Sequence, residues 1–447
     1  MPRIAVVLIH GIGEQRPMAT LRSFVSDVLG SPRSRPDKLA ESFEVRRLDV
    51  RPKNGPETDC YEFYWAHHMR DARFAHLATW LFRLFRTPSA DLKKMSAHLG
   101  SEKYRRARCI GIVLCVIALV LAGVLAWAIA AWTRVAVGVG AVVATILLAG
   151  GKLLWQGAQS LVLRIITDAA RYLDNTPENI GERQIIRAEC VKCIRQLNES
   201  KDPKYDRIVV IGHSLGSVIA YDALKFLWAR QNSHASLPLS VIDQGATPAT
   251  DGPLLKLYGR NAVDPVDGPT RQAVPDEAND LSSFSGRRPS LQSELFKLLM
   301  PGTKWKISNL VTVGSPLTHA PILLSESLEA FWELQKQREL PTSPPRMDPE
   351  ETRGPNDALC GWKDGEMFRL HHAALFAVVE WTNFYLDGDR IGGPLQPLFG
   401  DGVRDVPLVL HRRRWRNHTR YWSARGKAGC DEFSRELGKI IGLNRAT

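Results

Sequence analysis

Cysteine is scarce in this chain, and so is acidic charge. Seven cysteines in 447 residues, an odd number scattered along the sequence, exclude a disulfide framework. No internal repeat, collagen period or low-complexity bias is present. Asp and Glu total 47 against 59 Lys and Arg, a net charge of +12. That balance points to an anionic partner: nucleic acid, an acidic membrane surface or an acidic substrate. No secretory signal is expected, because the short apolar run of MPRIAVVLI leads into a Gly turn rather than a small-residue cleavage site. What is present is otherwise ordinary: 44% hydrophobic and 24% charged, in a length suited to one large elaborated domain or two to three smaller ones.

The most informative absence is local. From Cys109 to Thr133 no residue is charged, and after Arg134 none is charged from Val135 to Gly151. The first run is long enough to cross a hydrocarbon core of about 30 Å at about 1.5 Å per residue. The second is shorter, but Leu153, Leu154 and Trp155 extend it while Lys152 snorkels. Ala118, Ala122, Ala126 and Ala130 recur every fourth residue in the first run, as do Ala136, Gly140 and Ala144 in the second. Small residues on one face let two helices approach closely in lipid. We therefore expect a transmembrane helical hairpin over 109–155, with its tip near Trp132 to Arg134. Lys103, Arg105, Arg106 and Arg108 stand at its entrance, which places that end in the cytoplasm. Ahead of them, the aromatic and basic stretch HLATWLFRLFR over 76–86 suggests an interfacial helix within a 71–108 flank, a core-facing helix being the other reading. A mean hydropathy of −0.17 thus averages a polar protein with one very apolar insert.

Strand and helix signals alternate on either side of that insert. Ile4 to Ile9 reads as a buried strand ending in His10-Gly11-Ile12-Gly13, with a helix over 17–29 and a strand over Cys60 to Trp65. A helical stretch over 156–198 carries Ile185, Ile186, Ile194 and Leu197 at helical spacing. The CxxC formed by Cys190 and Cys193 lies in it, without a second ligand pair, and reads as apolar packing rather than redox or zinc chemistry. Arg207 to Ile211 is a strong strand signal, followed by Gly212-His213-Ser214-Leu215-Gly216 and a helix to about Arg230. Pro, Gly, Ser and Asp accumulate over 231–303, which reads as an insertion or cap. Strands are expected at Ile307 to Val313, Val378 to Tyr385 and Val406 to Leu410, with a polar loop over 340–365. The whole predicts an α/β architecture with a mostly parallel sheet flanked by helices. Its parts are a first core segment at 1–70, a core segment at 156–230, and a last one at 304–447.

GxSxG alone is weak, since chance supplies it in about one chain in seven of this length at ordinary Gly and Ser usage. Here it falls between a strand and a helix, the context it requires: a tight turn lifts the Ser hydroxyl out of the sheet, and the helix N-terminus offers free N–H groups to a developing oxyanion. Ser214 is the candidate nucleophile.

On these residues the chain resembles the α/β-hydrolase superfamily, particularly its lipase and esterase branch, over 1–70 and from about 180 to 447. The His10-Gly11-Ile12-Gly13 turn is similar to that family's oxyanion turn, which implies backbone donors at Ile12 and Leu215, with Gly11 a near alternative, and a structural role for His10. Gly314-Ser315-Pro316-Leu317 looks like an architectural turn of the same lipases. The resemblance further implies an acid and a histidine following the serine in the chain. Asp389-Arg390-Ile391, after the strand EWTNFY, fits the acid loop better than Asp387, though Arg390 stands where Pro is usual. Asn417-His418-Thr419-Arg420-Tyr421 resembles the family's late His-x-x-Tyr pattern, with His411 the competitor in a strand-like run; His371 and His372 precede the acid and break the order.

Ser214, His418 and Asp389 would then act as nucleophile, base and orienting acid, with no metal or organic cofactor required. The reading that follows is a membrane-anchored serine hydrolase of carboxylic esters, with lipid esters the expected substrates and the bilayer its partner. A thioesterase, amidase or acyltransferase with the same triad is the alternative within enzymes, and a catalytically silent membrane scaffold the alternative outside them. The basic run Arg412, Arg413, Arg414, Arg416 and Arg420 reads as a solvated face or as a rim for anionic headgroups; nucleic acid is disfavoured because no recognised module accompanies the charge. The oxyanion turn and Ser214 must share one compartment while the apolar segments lie between them, so those segments cross an even number of times. Reporters fused at the two termini should both be cytoplasmic; finding them on opposite faces of the membrane would overturn the two-span arrangement.

Overall fold

The computed structural model describes residues 2–11, 16–52, 55–68, 172, 177–232, 236–238, 296, 305–325, 327–345, 361–365, 367–386, 389, 391–409, 418, 421–422 and 428–443. The chain divides into two units, Met1–His68 with Ile180–Thr447, and Met69–Asn179. The apolar segments over 109–155, the 71–108 flank and nearly all of the 231–303 insertion lie outside the described residues. Among the described residues no helix is long and apolar enough to cross a membrane.

The first unit is α/β. Its strands are β1 (Arg3–Ile9), β2 (Arg33–Pro36), β3 (Arg46–Val50), β4 (Glu57–Phe63), β5 (Arg207–His213), β6 (Ser236–Pro238), β7 (Ile307–Val313), β8 (Gly361–Asp364), β9 (Met367–Leu370), β10 (Glu380–Leu386) and β11 (Val403–Leu408). Its principal helices are α1 (Ala19–Phe24), α2 (Pro177–Glu199), α3 (Leu215–Asn232) and α4 (Ala428–Ile441). Eight strands form one sheet in the order β11-β10-β7-β5-β1-β4-β3-β2, and β6-β9-β8 form a small second sheet. From β11 through β4 every pairing is parallel; β3 and β2 add an antiparallel edge.

Why the middle strands form is plain from their composition. IAVVLI, IVVI and LVTV are β-branched or aliphatic on both faces, and both faces are covered, so no polar alternation is needed. Val6, Leu8, Val209, Ile211, Val311 and Val313 join Phe24 of α1 and Phe433 and Leu437 of α4 in one core cluster. The opposite face packs against α3. Each such aliphatic side chain contributes about 1.5–3 kcal/mol on burial.

Several elements shift from where local pattern puts them. The strand expected over Cys60 to Trp65 is β4, beginning earlier because it runs in register with β1, Arg3 opposite Glu57 through Ile9 opposite Phe63. The strand expected over Val406 to Leu410 is β11, drawn back to Val403 by its pairing with Trp381. The polar loop expected over 340–365 ends sooner, since 361–364 pair with 367–370. Ile185 is 48% exposed rather than on the buried face of α2, which is set by Ile186, Cys190, Ile194 and Leu197. Cys190 and Cys193 do pack in the core, and burial pushes both thiols up, that of Cys193 to about 12.

Two buried carboxylates anchor the first strands. Asp59 of β4 accepts from Arg3 (2.8 Å) and from the Tyr205 hydroxyl (2.6 Å), which also pairs with the Tyr61 hydroxyl (2.7 Å). Glu62, also on β4, accepts from the backbone N–H groups of Met18 and Leu21 at the start of α1. Burial dominates its ionisation, outweighing those two donors, and pushes its pKa up to about 7 from an ordinary 4.5. An acid whose folded pKa is raised contributes fully below the unfolded value, and the contribution is lost as pH rises through the folded one. The protein should therefore lose up to about 3 kcal/mol of stability from this group between pH 4.5 and pH 8. Glu62→Gln keeps an acceptor for the α1 amides and removes the titration. It should be more stable than wild type to denaturant at pH 8 and have a flatter stability profile below it; an unchanged pH slope would contradict this origin.

Candidate active site

Parallel strands end on the same side, so the residues that follow β1, β5, β7 and β10 converge at one edge of the sheet. These are His10-Gly11, Ser214, Gly314-Ser315 and Asp389. The connection leaving β1 runs to the β2 edge, from which the chain steps inward through β3 and β4, whereas the connection leaving β5 runs to β7 on the other side, so the two connections diverge between β1 and β5. Such a divergence leaves a crevice beyond the carboxyl ends of the strands, the usual place for a ligand in an open α/β sheet.

Ser214 occupies the single turn between β5 and α3, with φ 53, a left-handed conformation uncommon for a residue with a side chain. The turn is held from both sides. The Ser214 N–H donates to the Val313 carbonyl of β7 at 2.9 Å, and the Ser217 hydroxyl donates to the Ser214 carbonyl at 2.5 Å while lying 2.6 Å from the Ser315 hydroxyl. The helix can begin so close to the sheet because Gly216 has no side chain: a Cβ there would meet the Ile9 carbonyl oxygen at 2.1 Å. A Cβ on Gly11 would likewise meet the Ser214 Cβ at 2.8 Å.

The structure brings three residues expected from the sequence into one hydrogen-bonded line. The Ser214 hydroxyl donates to His418 Nε2 at 2.8 Å, and His418 Nδ1–H donates to Asp389 Oδ2 at 2.8 Å. All three are nearly inaccessible, at 2%, 7% and 2% exposure. The tautomer of His418 is assigned from these partners. Asp389 Oδ1 accepts from the Ile391 N–H (2.9 Å), and Oδ2 also accepts from the Tyr421 hydroxyl (2.7 Å). Burial opposes a charge here, but the facing His418 and these three donors outweigh it and hold the Asp389 carboxyl down at about 2. Asp389 is thus ionised at any physiological pH.

Residues outside the Ser214–His418–Asp389 line complete the support; the family resemblance implies a structural role for His10 but none for His213. Tyr421 donates to Asp389 and accepts from the Leu386 N–H (3.2 Å) while its ring lies against Gly314, where a Cβ would come within 2.7 Å. The spacing of His418 and Tyr421 was the available signal. His213 donates from Nε2 to the His418 carbonyl (3.1 Å) and stacks on its ring at 5.3 Å. Burial, then the neighbouring His418, lowers the His213 pKa to about 3, so it serves as a neutral prop. His10 donates from Nδ1 to the Gly11 carbonyl (2.7 Å) and stacks on Trp65. Burial lowers its pKa to about 4.

Leu215 opens α3, so its N–H belongs to the first turn, where amides have no intrahelical acceptor. Gly11 lies against Ser214 as described. Ile12, Asp387 and His411 fall outside the described residues, as do Arg412, Arg413, Arg414, Arg416 and Arg420. His371 is buried elsewhere, its Nδ1 accepting from the Ala373 N–H. No family model, curated protein or solved structure matches this chain. What the site offers therefore rests on its own geometry: a serine hydroxyl hydrogen-bonded to an imidazole that is itself hydrogen-bonded to an ionised carboxylate.

Proposed function

We propose that the protein is a serine hydrolase of the α/β-hydrolase fold that cleaves carboxylic esters. The observation that carries this reading is the continuous Ser214–His418–Asp389 line with Ser214 at a left-handed turn between a strand and a helix. A serine hydroxyl at its ordinary acidity is a poor nucleophile, so proton removal must accompany attack. As Ser214 Oγ bonds to the acyl carbon, His418 Nε2 takes the hydroxyl proton, and Asp389 stabilises the resulting imidazolium. The oxyanion would be met by the N–H of Leu215 together with one from the Gly11–Ile12 turn. Collapse of the tetrahedral species breaks the acyl–oxygen bond, and His418 returns its proton to the departing alkoxide. Water, deprotonated by the same nitrogen, then attacks the acyl-enzyme and frees the acid and the serine.

The lipid character of the substrate and the membrane anchor rest on the sequence alone, on the uncharged runs within 109–155 and the basic residues around His418. Thioesters or amides would use the same groups, and a silent scaffold would keep the fold without turnover.

A fluorophosphonate probe separates the serine-hydrolase readings from the silent scaffold, and comparison of ester, thioester and amide substrates separates the former from one another. Wild type should be labelled covalently, and Ser214→Ala not at all. His418→Ala should lose at least about a thousandfold in labelling rate. Tyr421→Phe, which removes one donor to Asp389, should lose about tenfold, the equivalent of one charge-assisted hydrogen bond. A folded wild type that resists the probe, or labelling that survives in Ser214→Ala, would defeat the proposal.

A further inference from the structure

Well away in sequence from the triad, two imidazoles and a carboxylate meet. His67 and His68 close the short helical turn Ala66–His68 that follows β4, and Glu189 projects from the middle of α2. His68 Nε2 lies 2.9 Å from Glu189 Oε2, the two histidine rings are 3.8 Å apart, and the three donor atoms all fall within 4.8 Å of one another. We propose that these residues form a Zn²⁺ site.

Donor chemistry narrows the ion to zinc or a neighbouring first-row transition metal. Two neutral imidazole nitrogens and one carboxylate oxygen suit zinc, whereas calcium and magnesium take oxygen ligands almost exclusively. Tetrahedral zinc with bonds of about 2.1 Å sets its ligands about 3.4 Å apart. The His68–Glu189 pair is already closer than that, and with all three atoms within 4.8 Å of one another the rest of the triangle closes by at most about 1.4 Å of side-chain rotation. His67 is oriented for the task by rings on two sides, stacked on Tyr64 at 5.8 Å and tilted against Phe43 at 5.3 Å. The Glu189 side chain is 46% exposed and that of His68 19%, which leaves an entry path and room for water as fourth ligand. Cys190, next to Glu189, and Cys193 face the core with their thiols desolvated, so neither competes as a ligand.

The site's place in the chain gives it a purpose. His68 is the last residue of the first unit before the segment 69–179, and α2 carries the chain back into that unit. A metal bound here ties the point of departure to the helix of return. It would also brace the end of β4, where Trp65 holds His10 of the oxyanion-side turn through its N–H (3.4 Å) and ring N–H (2.9 Å). The clamp takes no part in acyl transfer and stands or falls independently of Ser214.

The test uses the full chain, stripped with EDTA, returned to metal-free buffer and titrated with ZnCl₂ and, separately, CoCl₂. Wild type should bind one equivalent of Zn²⁺ and unfold at a higher temperature when loaded. Glu189→Gln and His68→Gln should each weaken binding by at least about tenfold. Bound Co²⁺ should show visible d–d bands without the intense near-ultraviolet band of thiolate ligation. Absence of a bound equivalent in folded wild type, affinity unchanged in both variants, or a thiolate band would each overturn the site. If a variant does not fold, the absence of a bound equivalent or the presence of a thiolate band in wild type still overturns the site.

Discussion

The close approach of α3 to the ends of β1 and β5 is the constraint on which the rest of the site depends. Holding Ser214 at φ 53 costs on the order of 1–3 kcal/mol, and such a conformation persists only where its surroundings over-determine it. Here they do. The Val313 carbonyl captures the Ser214 amide, Ser217 captures its carbonyl, and Gly216 lets the helix start in contact with the backbone of Ile9. Because β1, β5, β7 and β10 are parallel neighbours, the same edge then receives Gly11, Ser315 and Asp389 without any further device. Strand parallelism and one strained turn place most of the candidate machinery.

The second half of the line is built differently. His418 and Asp389 come from loops, where position follows from neighbours rather than from secondary structure. Tyr421 links them: its hydroxyl joins Asp389 to the Leu386 amide, and its ring fills the space left by Gly314. His213 props the His418 backbone from the strand that carries the serine turn. The imidazole is thus held along both its hydrogen-bonding edge and its main chain, an arrangement that favours one tautomer and one orientation before any substrate arrives.

Much of this was legible in the sequence, for identifiable reasons. β1, β5 and β7 announce themselves because strands buried on both faces must be continuous apolar runs. Ser214 is legible because a steric demand, two glycines around one serine, writes itself into adjacent positions. Asp389 and His418 were reached through family resemblance, and the donors that meet Asp389, from Ile391, Tyr421 and His418, come together only in three dimensions. Other elements left no local mark. RSRP at β2 is exposed along its length and becomes a strand only because RRLDV offers it an antiparallel partner. The shifts of β4 and β11 have the same origin, registry with a neighbour that no short window contains.

The proposed mechanism requires Ser214 to form a covalent acyl intermediate. It is tested most directly by mixing the protein with a 4-nitrophenyl acyl ester, quenching in acid during the first turnover, and locating the added mass by peptide mass spectrometry. Acyl transfer to Ser214 should give a burst of nitrophenol of about one equivalent per protein and the acyl mass on the peptide bearing Ser214. A folded protein that releases no burst and carries no adduct, or an adduct on another residue that persists in Ser214→Ala, would contradict it.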